Sequence, residues 1–314
     1  MGGKLSIAFS ALAIMMGAAL YTGAAPLVSI VLSIAPPVVT EVSPNPPLAV
    51  PARFRVDREL GLLVETWVNG AGPFVFAIDT GAGTNLISER CVREARLPIN
   101  TIRTTLIGGL TGLRGSTNRA AVIDSMALGG RNNLLPSKQS ALIVSLPGAI
   151  DGILDPTAAY APIGYSIDFP GEVIQAFDGS LQGREPPRSG DIVAWVRRAG
   201  GNQPFVKLQD GRAALVDTGS KFGLAVSGRD AVIVGANGRS SSVVTRDIGG
   251  GSISSRRVAP TTVSIGELEL RSVPTDILLG VEAKAPVILG RDALRPFKIT
   301  FDPRRRLIEF EPSQ

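Results

Sequence analysis

The sequence predicts an all-β protein built as two lobes of similar size, related to each other by an internal repeat. Three observations predict it. From Arg53 onward, short runs of Val, Ile, Leu, Phe and Thr are cut by Gly, Asn and Asp at strand-length intervals. A polar break, "GSLQGREPPRSG" at 179–190, divides this β-rich region into residues 53–178 and 191–314. Each part carries an apolar run that ends in Asp-Thr-Gly, at Asp79 and at Asp217.

In chain order, the first element is not part of either lobe. "MGGK" precedes an uncharged stretch that is strongly apolar as far as Ala35. A lone early lysine before such a run is the layout of an export signal, and "YTGAA" offers small residues for cleavage. The apolar character resumes in "PLVSIVLSIA", so an uncut segment is long enough to span a membrane. Residues 1–35 are therefore read as a signal peptide or an N-terminal anchor. Export to a bacterial periplasm is expected, with residues 5–35 as the only membrane contact. Residues 36–52 are rich in proline, which favours extended polyproline geometry, and are read as a linker.

In the first lobe, "LLVETWVNGAGPFVFAIDTG" reads as strand, Asn69-Gly70 turn, and a second strand running into Asp79. "SERCVREARL" is the best helical pattern, with Ser88 as its cap and Pro98 beyond its end. The single cysteine, Cys91, falls inside it and reads as a small buried apolar residue. "LIGGLTGLRGS", 106–116, reads as a glycine-rich hinged flap, with Gly108 and Gly109 as the flexible positions. In the second lobe, "FVKLQDGRAALVDTG" repeats strand, Asp210-Gly211 turn and strand, now running into Asp217. "DIGGGSIS", 247–254, is the candidate for a second flap. Arg304-Arg305-Arg306 lies between two strand-like segments and reads as a charged hairpin turn.

The repeat extends beyond the tripeptide. "AIDGIL" contains Gly152 and "VILGRDAL" contains Gly290, and both glycines follow their Asp at the same distance: 152 − 79 = 73 and 290 − 217 = 73. The period, 217 − 79 = 138, is far above that of a solenoid unit. Each Gly is followed by a strand with an Asp near its turn, "YSIDFPGEVIQAF" and "KITFDPRRRLIEF".

Composition narrows the chemistry. There is no histidine among 314 residues and one cysteine, which rules out Ser-His-Asp and Cys-His sites, His-ligated zinc and an intramolecular disulfide. Acid–base work falls to Asp, Glu, Lys, Tyr or water. A net charge of +5 reads as surface solvation, and no phosphate loop, heptad array or aromatic-basic nucleic-acid pattern occurs. Neither a cofactor nor a metal is implied, and no nucleic-acid partner.

Two hairpin-borne Asp-Thr-Gly motifs, each with a downstream apolar-apolar-Gly, resemble the retropepsin-like and pepsin-like aspartic proteases. The resemblance covers nearly all of 53–314. "DTGAGT" is closest to the retroviral form, but one chain here carries both halves. The export segment, short lobes and lack of disulfides resemble bacterial envelope members of the group. The resemblance implies acid-protease-type β lobes with an active-site cleft between them, and Asp79 and Asp217 as the catalytic pair. It implies that Thr80 and Thr218 bond across the lobes, and that Gly81, Gly219 and Ser220 support the two loops. Gly152 and Gly290 would let a strand pass close beneath each loop. The substrate would be an extended polypeptide, and a monomer would be catalytically complete. The chemistry agrees, because two carboxylates sharing one proton hydrolyse a peptide bond without His or metal.

The residue after each Gly differs, Ala82 against Ser220. By the resemblance it can bond the outer oxygen of its own Asp. Ser220 has a hydroxyl to donate and Ala82 has none, so charge is expected to favour Asp217 and the proton Asp79. Two other functions fit the same fold: an exported pseudoprotease that binds extended peptides without cutting them, and a structural envelope module in which the Asp residues only form turns. The intact pair of Asp argues against the first, and the repeated spacing against the second.

Overall fold

The computed structural model describes residues 6–7, 48–111, 114–146, 149–196, 198, 201–228, 242–246, 252–281 and 285–313. Apart from residues 6–7, the export segment and the linker up to residue 47 lie outside these. Among the described residues, no helix is long and apolar enough to cross a membrane.

Both Asp-bearing hairpins form as their turn residues dictate. Gly61–Val68 and Ala71–Ile78 pair antiparallel and close with Val68 opposite Ala71. The two residues between them, Asn69 and Gly70, take φ of 47° and 76°, the left-handed pair that a two-residue hairpin needs. Phe205–Lys207 and Ala213–Asp217 also pair antiparallel, but across the longer connection 208–212, in which Gly211 takes φ 85°. In each lobe the strand leading into Asp then lies parallel to a later strand. Ala71–Ile78 pairs with Gly152–Leu154, and Ala213–Asp217 pairs with Val287–Gly290. Parallel pairing demands a long crossover, which the intervening flap hairpins and outer strands supply.

The second lobe is a sheet in the order Ser242–Arg246, Ser252–Ile265, Leu268–Leu279, Leu224–Ser227, Val287–Gly290, Ala213–Asp217, Phe205–Lys207. The other sheet does not stop at the polar break. Its order is Asp191–Ala194, Leu307–Pro312, Phe297–Asp302, Gly164–Asp168, Val173–Phe177 and Ala52–Asp57, and then the first-lobe strands. Three strands from 191–314 thus join a sheet with strands from 53–178. The segments that follow the two repeats meet side by side, with Tyr165 opposite Phe301 and Ile167 opposite Ile299. Residues 179–190 contain no helix or strand.

This shared platform is held by aromatic packing. Tyr165 stacks on Phe301 with centroids 4.7 Å apart, and Trp195 meets Phe301 edge-on at 6.1 Å. All three are buried, and such pairs add about 0.5–1.5 kcal/mol each beyond area burial. The helices are short. α1 (Glu89–Glu94) is capped by the Ser88 side chain, which accepts from the Cys91 amide. α2 (Pro156–Ala159) and α3 (Arg291–Leu294) follow the parallel strands of their lobes. Arg304–Arg306 forms the turn between Phe297–Asp302 and Leu307–Pro312, which pair as a hairpin.

The platform allows no side chain at Gly164, where a Cβ would overlap the Phe301 carbonyl oxygen. Gly164→Ala should destabilise the fold by about 1–3 kcal/mol, the usual cost of overpacking. Gly130, with nothing within 4 Å of its virtual Cβ, should accept Ala within about 0.5 kcal/mol. Urea denaturation of the two variants beside the wild type checks this, and equal midpoints would contradict it.

Candidate active site

The two hairpins deliver Asp79 and Asp217 to one place at the junction of the lobes, where both are fully buried. What aligns them is a set of crossed hydrogen bonds. The Thr80 amide donates to Thr218 Oγ1 and the Thr218 amide to Thr80 Oγ1, each at 3.1 Å. The hydroxyls in turn donate across the junction, Thr80 Oγ1 to the Val216 carbonyl at 2.6 Å and Thr218 Oγ1 to the Ile78 carbonyl at 3.0 Å. Each threonine hydroxyl thus serves as donor and acceptor toward the other lobe. Serine would supply the oxygen, but the β-branched methyl restricts χ1 and holds the hydroxyl in line.

Close approach requires glycine. A Cβ at Gly81 would sit 2.9 Å from Cγ and Oδ1 of Asp217. The Gly81 amide donates to Asp79 Oδ1 at 2.8 Å, and the Gly219 amide to Asp217 Oδ1 at 2.9 Å. The lobes then diverge. The Ser220 amide adds a second bond to Asp217 Oδ1 at 3.1 Å, whereas the Ala82 amide bonds only the Asp79 carbonyl. Charge is accordingly better held on Asp217. Burial raises its carboxyl to about 6, against the pull of the adjoining Asp79 carboxyl and of the Gly219 and Ser220 amides. Asp79 is raised well above the ordinary carboxylate range, by burial first and then by its like-charged neighbour. The expected asymmetry between Ser220 and Ala82 is present, but its cause differs. The main chain of Ser220 bonds the carboxylate, while its hydroxyl accepts weakly from the Phe222 amide at 3.4 Å. Oδ2 of Asp79 and Oδ2 of Asp217 receive no bond from any described protein donor.

The equal spacing of Gly152 and Gly290 does not correspond to equal positions. Gly290 pairs with Asp217, bonds its amide to the Gly223 carbonyl, and has the Ser220 and Phe222 carbonyls where a Cβ would go. Gly152 pairs with Phe76, three residues before Asp79, and its virtual Cβ would overlap the Phe76 ring. Gly152 therefore clears space in a strand, not beneath the loop. The counterpart of Gly290 is Asp155. It follows Ile153-Leu154 as Gly290 follows Ile288-Leu289, and it caps α2 as Gly290 caps α3. The matching distances are 155 − 79 = 76 and 290 − 217 = 73.

Four further residues support the pair and went unremarked in the sequence. Gln203 is buried and donates its side-chain amide to the Gly81 carbonyl at 2.7 Å. Asn85 Oδ1 accepts from the Asp155 amide at 2.9 Å. Asp155 itself is buried and accepts from the Thr157 amide. Arg291 is buried, and its guanidinium donates to the carbonyls of Asp57 and Arg58 at 3.1 Å each. That cation ties the second lobe to the first and lowers the carboxyls of both Asp79 and Asp217. The signal for Asp155 was present as "ILD" beside "ILG". It is visible only when the spacing is allowed to differ by three residues.

Gly108 and Gly109 lie at the end of a long antiparallel hairpin, Ile99–Gly108 with Arg114–Ile123. Its tip crosses to the second lobe. Leu110 is buried in an apolar cluster with Phe222, Ala225, Ile253, Leu278 and Ile288. Leu63, Ala77, Ala82, Leu86, Ile150 and Ile153 form a corresponding cluster in the first lobe. No tyrosine occurs in this hairpin. In the second lobe, Ser242–Arg246 and Ser252–Ile265 pair with Arg246 opposite Ser252. The tip, 247–251, lies outside the described residues.

The raised carboxyls carry a stability cost with a definite sign. A folded-state value above the unfolded 3.8 means that the folded protein holds more protons, so stability falls as pH rises between the two values. Asp79→Asn removes the proton-linked penalty. Its melting temperature should exceed that of the wild type at about pH 8, and the difference should shrink toward about pH 5. A difference independent of pH would contradict the assignment.

Residues 64–154 match a protein family described as aspartyl protease. No curated protein sequence matches the chain. Among solved structures, the aspartic proteinase from Irpex lacteus is similar in fold at 12% sequence identity, with a TM-score of 0.53 over 84% of this chain and 97% of that one. The family match lies in the first lobe, and the likeness to the solved proteinase shows a shared fold across both lobes.

Proposed function

We propose that this protein is an aspartic endopeptidase whose single active site is the pair Asp79 and Asp217. The observation that carries the proposal is the pairing itself. Two fully buried carboxyls are aligned by crossed threonine bonds, with outer oxygens that no described protein donor bonds. Two like charges in such a place do not ionise together, so the pair holds one proton over a range of pH. The unequal amide bonding assigns that proton to Asp79 and the charge to Asp217. Ionised Asp217 takes a proton from water as its oxygen attacks the peptide carbonyl, and Asp79 gives its proton to the carbonyl oxygen. The resulting gem-diol collapses as the C–N bond breaks: Asp217 gives the proton it took from water to the leaving nitrogen, and one diol hydroxyl returns its proton to Asp79, which restores the singly protonated pair. Arg291 offsets part of the accumulated charge without touching the reacting atoms.

Cleavage within a chain is supported by the apolar clusters on both sides of the pair, which give side chains on either side of the cut bond a place to bind. The hairpin with Gly108 and Gly109 acts as the flap over an extended polypeptide, which strand-like pairing would hold. The N-terminal segment directs the lobes out of the cytoplasm, so the substrates are envelope or extracytoplasmic proteins. A pseudoprotease reading loses ground because neither carboxyl is replaced, and among the described residues neither is tied up in a salt bridge.

Incubation of the full chain with a mixed peptide library tests the reading. Cleavage should occur at internal bonds, and Asp79→Asn and Asp217→Asn should each lower kcat by at least about a thousandfold with the fold intact. Near-normal turnover in either variant would overturn the assignment. The pH dependence follows from the two carboxyls. With Asp217 at about 6, the pair is doubly protonated in stronger acid, so kcat/KM should rise through about pH 6 and fall only when Asp79 ionises at higher pH. An optimum near pH 3 would contradict this.

A further inference from the structure

The two lobes differ most sharply where one has Gly290 and the other Asp155. In the second lobe a side chain is sterically barred, because the main chain of 220–223 closes over the position. In the first lobe the equivalent bond is made by a side chain. Asn85 Oδ1 accepts from the Asp155 amide as the Gly223 carbonyl accepts from the Gly290 amide. Asn85 in turn donates to Gln139 Oε1 at 3.1 Å. This substitution of side chain for main chain opens room for a carboxyl. Asp155 lies next along the chain from Leu154, whose carbonyl accepts from the Asp79 amide at 2.9 Å. A third carboxyl is therefore enclosed behind the first catalytic loop.

We propose that Asp155 is a positioning residue for the dyad proton, its negative charge holding that proton on Asp79. The proposal rests on the dyad reading above. A plain helix-capping role accounts for part of the geometry, since Asp155 Oδ1 accepts from the Thr157 amide at 3.0 Å and Pro156 opens α2. Capping does not account for the choice of a charged residue at a buried site, because Asn caps as well. The titratable groups that face it are Asp79 and Tyr165. Tyr165 is buried and hydrogen-bonded through its hydroxyl to Thr157 Oγ1 at 3.0 Å, and burial pushes its phenol well up, so it stays neutral. Among the described residues no cation forms an ion pair with Asp155, and the charged group that acts on it most is Asp79. Burial raises the Asp155 carboxyl to about 7. Below that pH it is neutral and leaves the dyad alone. Above it, the added charge opposes ionisation of Asp79 and extends the monoanionic, active form toward alkaline pH.

The test uses Asp155→Asn, which keeps the cap and the shape but not the charge, and Asp155→Gly, which copies the second lobe. Both are compared with the wild type as full chains on one cleaved peptide. The alkaline limb of kcat/KM should move to lower pH in both variants by about half a unit or more, a roughly threefold loss at fixed pH on that limb. The acid limb and the kcat at the optimum should stay within about twofold. An alkaline limb that does not move in Asp155→Asn overturns the proposal, and a fall in melting temperature in Asp155→Gly alone would then leave capping as the whole role. Carboxyl ¹³C shifts of Asp79 across the pH range give a second readout that needs no turnover. If no peptide is cut but Asp79 titrates lower in Asp155→Asn, the protease reading fails while the coupling of Asp155 to Asp79 stands. Unchanged Asp79 titration sinks the coupling regardless of activity.

Discussion

Everything in the site depends on the four hydrogen bonds by which Thr80 and Thr218 reach across the junction, two to each other and two to the carbonyls of Val216 and Ile78. They are the place where two lobes, each folded on its own hairpin and parallel strand, are forced into one register. The bonds are buried, so an unmatched partner would leave a polar group without water, at about 1–3 kcal/mol each. That penalty makes the alignment specific. Because Asp79 and Asp217 precede the two threonines directly, the register of the threonines is also the register of the carboxyls. The mutual repulsion of the carboxyls is thus borne by a scaffold that cannot relax it.

The lobes share a plan but do not share an environment. One extra amide favours charge on Asp217, a buried carboxyl lies behind Asp79 alone, and the Arg291 cation lowers both members of the pair. Internal duplication supplies two equal Asp residues, and chemistry needs them unequal, one to take a proton and one to give it. Inequality is built around the pair, through the Ser220 amide on one side and the Asn85–Asp155 arrangement on the other, while the tripeptides themselves stay identical. The interlobe sheet plays the complementary part. By stacking Tyr165 on Phe301 and pairing Gly164–Asp168 with Phe297–Asp302, it fixes the far side of the molecule.

Local patterns were legible because local chemistry decides them. Asn69 and Gly70 both take positive φ, and Gly211 does so in the second hairpin; short apolar runs specify strands; Ser88 specifies the start of α1. The repeat of Asp-Thr-Gly was visible because each copy serves the same backbone geometry. The spacing of Gly152 and Gly290 misled for the same reason that it attracted notice. A glycine is required wherever something passes close, and sequence does not say whether that neighbour is an aromatic ring in a strand, as for Gly152, or a main-chain loop, as for Gly290. Equality of the two distances was arithmetic, and hydrogen-bond register set the true correspondence.

The sequence by itself determined the all-β class, the two lobes, the pair of Asp residues and the exclusion of histidine chemistry, since composition and short-range backbone preference fix each of these. Only the tertiary structure decided which oxygen each amide reaches, that Ser220 acts through its main chain, that Arg291 bridges the lobes, and that Asp155 stands in place of a glycine. Those outcomes depend on contacts between residues far apart in the chain, at tenths of an ångström, where one side chain or its absence changes which groups meet. Periodicity carries no record of such distances.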